Sequence, residues 1–234
     1  MAGIPARAQE DIIRAGRRMD QLGWVPATAG NISVRFHDYD SVRQGRIAIT
    51  RSGGHKGFLD SFSVIEVDLD GKPLTAGAKP SAETLLHCQI YKVFADAGAV
   101  LHGHSVPGTV LSMTETSDAI TLEGYELFKA FTGQSTHDVS LAVPLFPNDQ
   151  DMARLAGVIA PYLAHAPLGY YIRGHGIYVW GPDMDGALAR LEAVEFMLAC
   201  ELQRRQIAPS RAGISKAPAA KPRLGKSPLW ENAS

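Results

Sequence analysis

Cysteine is almost missing from this chain of 234 residues: Cys88 and Cys200 are the only two. Two thiols cannot build the bridge framework of a small extracellular scaffold, and they suit a reducing compartment. Neither sign of charge is in excess, with Lys+Arg at 23 and Asp+Glu at 24. That excludes the basic footprint of a nucleic-acid binder or of a protein drawn to acidic lipid. The first residues lack the apolar core of a secretory leader, because Arg7, Glu10 and Asp11 interrupt it. Residues 155–172 hold no Asp, Glu, Lys or Arg, but Pro161, Pro167 and Gly169 divide them into a helix-like and a strand-like half. A membrane span is therefore rejected. No Gly-x-Ser-x-Gly elbow, His-Glu-x-x-His helix, Walker loop or dinucleotide fingerprint occurs. The expectation is a soluble, cytoplasmic protein with no nucleic-acid or membrane partner.

Hydrophobic residues at 45% and charged residues at 20% describe an ordinary globular chain, and the length allows one core of good size. Residues 6–22 carry Ile12, Ile13, Met19 and Leu22 at helical spacing, with Gly23 to end the helix. Short β-type runs follow at 32–36, 47–50 and 64–69. A helix capped by Ser81 is expected to run to Gly98, followed by a strand holding His102 and His104 and a short helix over 123–131. Residues 139–145 read as extended, Asn148 or Asp149 as the next helix cap, and 170–172 with 177–180 as a strand pair. Pro182-Asp183 starts a long final helix. Beyond Ile207, prolines sit among alanines, serines and lysines without apolar periodicity. One domain over 1–207 and a disordered basic tail over 208–234 are predicted. Helices and strands without regular βαβ alternation favour a mixed sheet covered by helices.

His102-Gly103-His104 and Gly174-His175-Gly176 carry the most chemical information. Imidazoles two positions apart on a strand share a face, with side chains roughly 7 Å apart. A third, between glycines in another strand-like run, can complete a three-nitrogen site with an open fourth position, the catalytic form of a zinc centre. Ordinary partly buried histidines are the competing reading of the same spacing. Thr28-Ala29-Gly30-Asn31 and Ser52-Gly53-Gly54-His55-Lys56-Gly57 are small-residue loops at strand ends. Their backbone N–H groups, hydroxyls and the lysine can cradle a phosphate dianion; a pair of tight turns is the alternative. Glu83 in a first helical turn is explained by the helix dipole alone, and His87 by a pair with Glu83 four residues earlier. Glu123 and Glu126, three apart on one helical face, form a solvated pair unless one reaches a bound substrate. Cys88 reads as a buried small hydrophobe, and Tyr170, Tyr171, Tyr178 and Trp180 as packing.

Taken in order, Thr28-Ala29-Gly30-Asn31-Ile32-Ser33, Thr50-Arg51-Ser52-Gly53, Pro80-Ser81-Ala82-Glu83 and the two histidine motifs resemble the class II (zinc-dependent) sugar-phosphate aldolase family, over about 12–206. Gly53-Gly54-His55-Lys56-Gly57 and Leu122-Glu123-Gly124-Tyr125-Glu126 look like its branch of dehydratases that act on a methylthio-pentulose phosphate. The resemblance implies an α/β fold, a three-layer α/β/α sandwich with a mixed, largely antiparallel central sheet, assembled as a homotetramer with sites near subunit contacts. It implies one zinc ion per subunit on His102, His104 and His175. The sugar phosphate would meet Gly30, Asn31, Ser52, Gly53 and Ser81, to which charge adds Lys56. Glu83 matches the acid/base of the aldolases and Glu126 that of the dehydratases; both are catalytic candidates, with Glu126 preferred for the dehydration. The implied reaction removes the carbon-3 proton of a ketose phosphate and then expels the carbon-4 hydroxyl. The alternatives are an aldolase or epimerase working on another ketose phosphate, such as fuculose or ribulose phosphate, and a non-catalytic module like the adducin head. Phe131, Phe146 and Tyr170 are expected around the methylthio group.

Overall fold

The computed structural model of the chain describes residues 3–36 and 45–207; the expectation for the 208–234 tail lies outside the described residues. Among the described residues eight strands form one sheet: β1 (Asn31–Phe36), β2 (Arg46–Thr50), β3 (Val64–Val67), β4 (Ala99–Gly103), β5 (Ala119–Glu123), β6 (Ser140–Phe146), β7 (Tyr170–Ile172) and β8 (Ile177–Gly181). Their spatial order is β3-β2-β1-β4-β8-β7-β6-β5. Only β6 and β7 pair in parallel; the other neighbours are antiparallel. The mixed, largely antiparallel sheet is therefore as the resemblance implied.

Alternation along each strand sends side chains to two cores. Ile32, Leu101, Tyr171, Ile177 and Val179 meet α1 (Ala6–Gln21), α3 (Val106–Thr114) and α5 (Met184–Ile207) on one face. Val100, Tyr170, Ile172 and Tyr178 meet α2 (Thr84–Val93) and α4 (Met152–Leu163) on the other. Three layers result, helices over sheet over helices. Among the described residues no helix is long and apolar enough to cross a membrane.

Several local expectations need correction. Ser81 does not cap α2: residues 81–83 form a turn, Glu83 takes the cap position in a helical conformation, and the helix ends at Val93. The cap of α4 is Asp151, whose carboxylate accepts from the N–H groups of Ala153 and Arg154, in place of Asn148 or Asp149. The helix expected over 123–131 is instead strand β5 followed by a short 3-10 segment, Glu126–Ala130. Glu123 and Glu126 thus share no helical face. α3 was not anticipated; Ser105 caps it, accepting from the N–H of Gly108, and Pro107 sits in its first turn. Phe131 packs in the α1/α5 core, whereas Phe146 and Tyr170 lie in the α2/α4 core, so the three cannot line one pocket.

Candidate metal centre and anion cradle

His102 is the last-but-one residue of β4, and β1 and β8 flank it directly: Asn31 and Tyr178 are its register partners. Direct partners share a face, so Asn31, His102 and Tyr178 all point to the α2 side. His104 follows the strand end, where its backbone N–H donates to the Trp24 carbonyl at 2.6 Å. His175 sits in the turn between β7 and β8, held by the Gly174 N–H donating to Ser112 Oγ of α3 at 3.0 Å. The three rings converge, with centroids 4.5 Å apart for 102 and 104, 5.1 Å for 102 and 175, and 5.0 Å for 104 and 175. One ring nitrogen from each lies within 4.8 Å of the others. That is closer than the strand spacing alone suggested, because His104 leaves the ladder and turns back.

The donors fit a metal ion. His102 Nδ1 faces the Ile177 carbonyl at 2.9 Å, so that nitrogen carries the proton and Nε2 keeps its lone pair. His104 likewise bonds the backbone of His175. Nε2 of both rings is buried without a protein partner, the arrangement expected of ligand nitrogens rather than of packed structural histidines. Burial pushes His102 well below its ordinary value, the His104 and His175 rings adding to the shift, and takes His104 down to about 4, with His175 adding there; Glu83 opposes both shifts without reversing them, so both rings are neutral at pH 7.

Glu83 completes the cluster. The turn that displaces the start of α2 aims its carboxylate at the rings: Oε1 stands 2.9 Å from His175 Nε2 and Oε2 3.8 Å from His102 Nε2. Asn31 Nδ2 donates to the same carboxylate. Burial alone would raise its pKa, but the His175 hydrogen bond and the His102 and His104 rings outweigh it, and Glu83 is held below the usual carboxylate range. Glu83 is therefore engaged with Asn31 and His175 rather than paired with His87. His87 shares a hydrogen bond with Ser33 Oγ at 2.7 Å, in a buried network that continues to Tyr91.

Beside the metal centre a cavity of about 250 Å³ is lined by Gly30, Asn31, Ser52, Gly53, Lys56, Ser81, Glu83 and His104. The two small-residue loops therefore meet at one place and open onto the histidines. Gly30 adopts φ +79, and a Cβ there would come 2.7 Å from the His102 carbonyl oxygen, so only glycine lets this loop approach β4. Arg51, overlooked as a binding residue although it precedes Ser52 in the motif, lines the same cavity from an exposed position.

Glu126 lies elsewhere. β4 and β6 run in one direction and β5 in the other, so Glu123, paired with Ser140 at the start of β6, marks the sheet end opposite the histidines. Glu126 follows it at the surface, ion-paired with Lys129 and 3.6 Å from His137 Nδ1. Cys88 is buried and its thiol is pushed up to about 12 by burial, as suits an inert packing residue.

The family model of the class II aldolase and adducin N-terminal domain matches residues 10–202. The methylthioribulose-1-phosphate dehydratase of Gluconacetobacter diazotrophicus is 64% identical over 203 residues, covering 87% of this chain and 96% of that protein. The dehydratase of that name from Gluconobacter oxydans is 63% identical over 199 residues, covering 85% and 93%. Among solved structures, the L-fuculose-1-phosphate aldolase of Thermus thermophilus superposes with a TM-score of 0.68 at 23% identity, covering 86% of this chain and 97% of that one; this likeness bears on the fold alone. With its layered sheet, its histidine trio and these relatives, the chain belongs to the class II aldolase and adducin N-terminal domain family and groups with the family's methylthioribulose-1-phosphate dehydratases.

Proposed function

We propose that the chain is a hydro-lyase that dehydrates 5-methylthioribulose 1-phosphate to 5-methylthio-2,3-dioxopentyl phosphate, in the cytoplasm, as a step of methionine salvage. The observation that carries this reading is 64% identity, over 203 residues, to a protein named for that reaction. The convergent imidazoles beside an anion cradle supply its physical basis. His102, His104 and His175 are the proposed ligands of one zinc ion per subunit, which when bound supplies the Lewis acidity that makes the carbon-3 proton of the ketose removable.

The remaining steps fall to the chain's own groups. Gly30, Asn31, Ser52, Gly53 and Ser81, with Lys56, hold the phosphate. Glu83, whose carboxylate lies against the His175 and His102 rings, is the proposed base for the carbon-3 proton. Hydroxide leaves poorly from carbon 4 at neutral pH, so a proton must be delivered to it; Glu126 is the proposed donor. Glu126 lies at the far sheet end from its own histidines, so in this reading it serves the site of a neighbouring copy, which the proposed homotetramer would supply. The exposed apolar stripe Val106, Val110 and Met113, four and three residues apart on α3, is a surface suited to such association. The proposed catalytic unit is 1–207, with 208–234 dispensable for turnover.

Incubating zinc-loaded protein separately with methylthioribulose 1-phosphate and with fuculose and ribulose phosphates tests the reading. A diketone absorbance confined to the first substrate supports dehydration. Triose phosphate and aldehyde from the others would establish an aldolase instead.

A further inference from the structure

The opposite end of β4, roughly 15 Å from the histidines along the strand, carries a separate cavity of about 250 Å³. Phe94, Asp96, Thr132, Trp180 and Arg190 line it. Its apolar wall is Phe94 stacked on Trp180, with centroids 4.9 Å apart and planes 29° from parallel. Its cation is Arg190 of α5, half-buried, whose Nη1 donates to the Trp180 carbonyl at 2.8 Å and Nη2 to Thr132 Oγ1 at 2.5 Å. Both acceptors are uncharged. Burial lowers the Arg190 pKa below its ordinary value, and Asp96 and Asp183 oppose that shift only through space. Asp183 is moreover spent on the Gly186 N–H, at 2.7 Å, in the first turn of α5. A charge withdrawn from water without a bonded counter-ion is costly to hold, and the steps assigned to the metal centre make no use of this one.

A guanidinium has five N–H donors in a planar fork. The bonds to Trp180 and Thr132 fix that fork before any ligand arrives, so little side-chain entropy is lost on binding. The remaining donors suit a carboxylate. Asp96, exposed at the rim, supplies a negative charge, and the aromatic stack supplies apolar surface. An inorganic anion would leave that wall unused and sit against Asp96. A nucleotide is too large for about 250 Å³, since drug-sized ligands fill roughly 300–1,000 Å³. A zwitterion with an apolar side chain uses all three features. We propose that this cavity binds a free α-amino acid with an apolar side chain: its carboxylate on Arg190, its ammonium toward Asp96, its side chain against Phe94 and Trp180. The cavity shares no lining residue with the anion cradle, so the site stands independently of the reaction proposed above.

The probes are L-leucine and L-methionine, titrated calorimetrically into the zinc-loaded full chain with metal content measured in parallel. Both are expected to bind with a Kd of about 1 mM or tighter. Leucinamide, which lacks the carboxylate, should bind at least about 10-fold more weakly, and N-acetyl-leucine, which lacks the ammonium, about 3-fold more weakly, because a half-buried charge-assisted bond outweighs an exposed charge. L-alanine, shorter by three carbons, should lose at least about 10-fold. R190Q is expected to weaken leucine binding at least about 10-fold and D96N about 3-fold, each with its zinc retained. Should R190Q fail to fold, the analogue series on the unaltered chain decides. No binding of either amino acid at about 20 mM, or equal binding of leucine and leucinamide, overturns the proposal. So does displacement of leucine by inorganic phosphate, which would place it in the cradle. Leucine binding without any dehydratase activity would sink the reaction and leave this site standing.

Discussion

The ring of Tyr178 lies flat against that of His102, with centroids 4.1 Å apart and planes 14° from parallel, while the preceding residue, Ile177, takes the His102 Nδ1 proton on its carbonyl. Two consecutive residues of β8 therefore set both the tilt and the tautomer of one imidazole. Outer contacts of this kind are typically worth 10–100-fold in metal affinity. Y178L, which keeps bulk but loses the flat face, is expected to weaken zinc binding about 10-fold; Y178F, which removes only an unpartnered hydroxyl, less than about 3-fold. Competition with a chromophoric chelator measures both.

Gly176 is the strictest of the glycines around His175. A Cβ there would stand 2.3 Å from the Gly103 carbonyl oxygen and 2.7 Å from His102 Cε1. Backbone cannot yield cheaply, so the ring must. G176A is expected to be purified with less than about a tenth of the normal metal and correspondingly little activity, by elemental analysis and diketone assay.

The two carboxylates are separable by subunit complementation. E126Q and H175A should each be nearly inactive, the first with its metal and the second without. If Glu126 serves a neighbouring copy, mixing the two after reversible dissociation restores about a quarter of full activity, because only sites drawing both intact groups turn over. No recovery, with E83Q inactive and E126Q active, would move the proton donor to Glu83.

Glu195 on α5 is 2% exposed, and burial raises its carboxyl to about 7 from an ordinary 4.5. The fold therefore favours the protonated form. Its stability contribution is complete below pH 4.5, where both states are protonated, and is lost progressively as pH rises through about 7. E195Q should raise thermal stability at pH 8, by roughly 1–3 kcal/mol, and change it little at pH 5. Parallel melting curves at the two pH values check the sign.

The sequence made the histidine trio legible because its members sit where patterning is strongest, at the end of the apolar run of β4, just past it, and between the two short strands β7 and β8. The paired loops were legible for a similar reason, since glycines and hydroxyls cluster at strand ends. α3 was missed because Val106, Pro107, Gly108 and Thr109 are poor helix formers, and its formation relies on the Ser105 cap and on packing against α5. The start of α2 was misplaced by two residues because Ser81 has the right chemistry for a cap, yet the turn it begins serves to aim Glu83 at His175. The remote position of Glu126 follows from the direction of the β5–β6 hairpin, which no local spacing encodes.

Metal occupancy and position form the most direct test of the central claim. Anomalous diffraction at the zinc edge from crystals of the purified protein should show one ion per chain, about 2.0–2.1 Å from a ring nitrogen of each of His102, His104 and His175, and H102A should lose it. Zinc seated elsewhere, or full zinc content in H102A, would contradict the account.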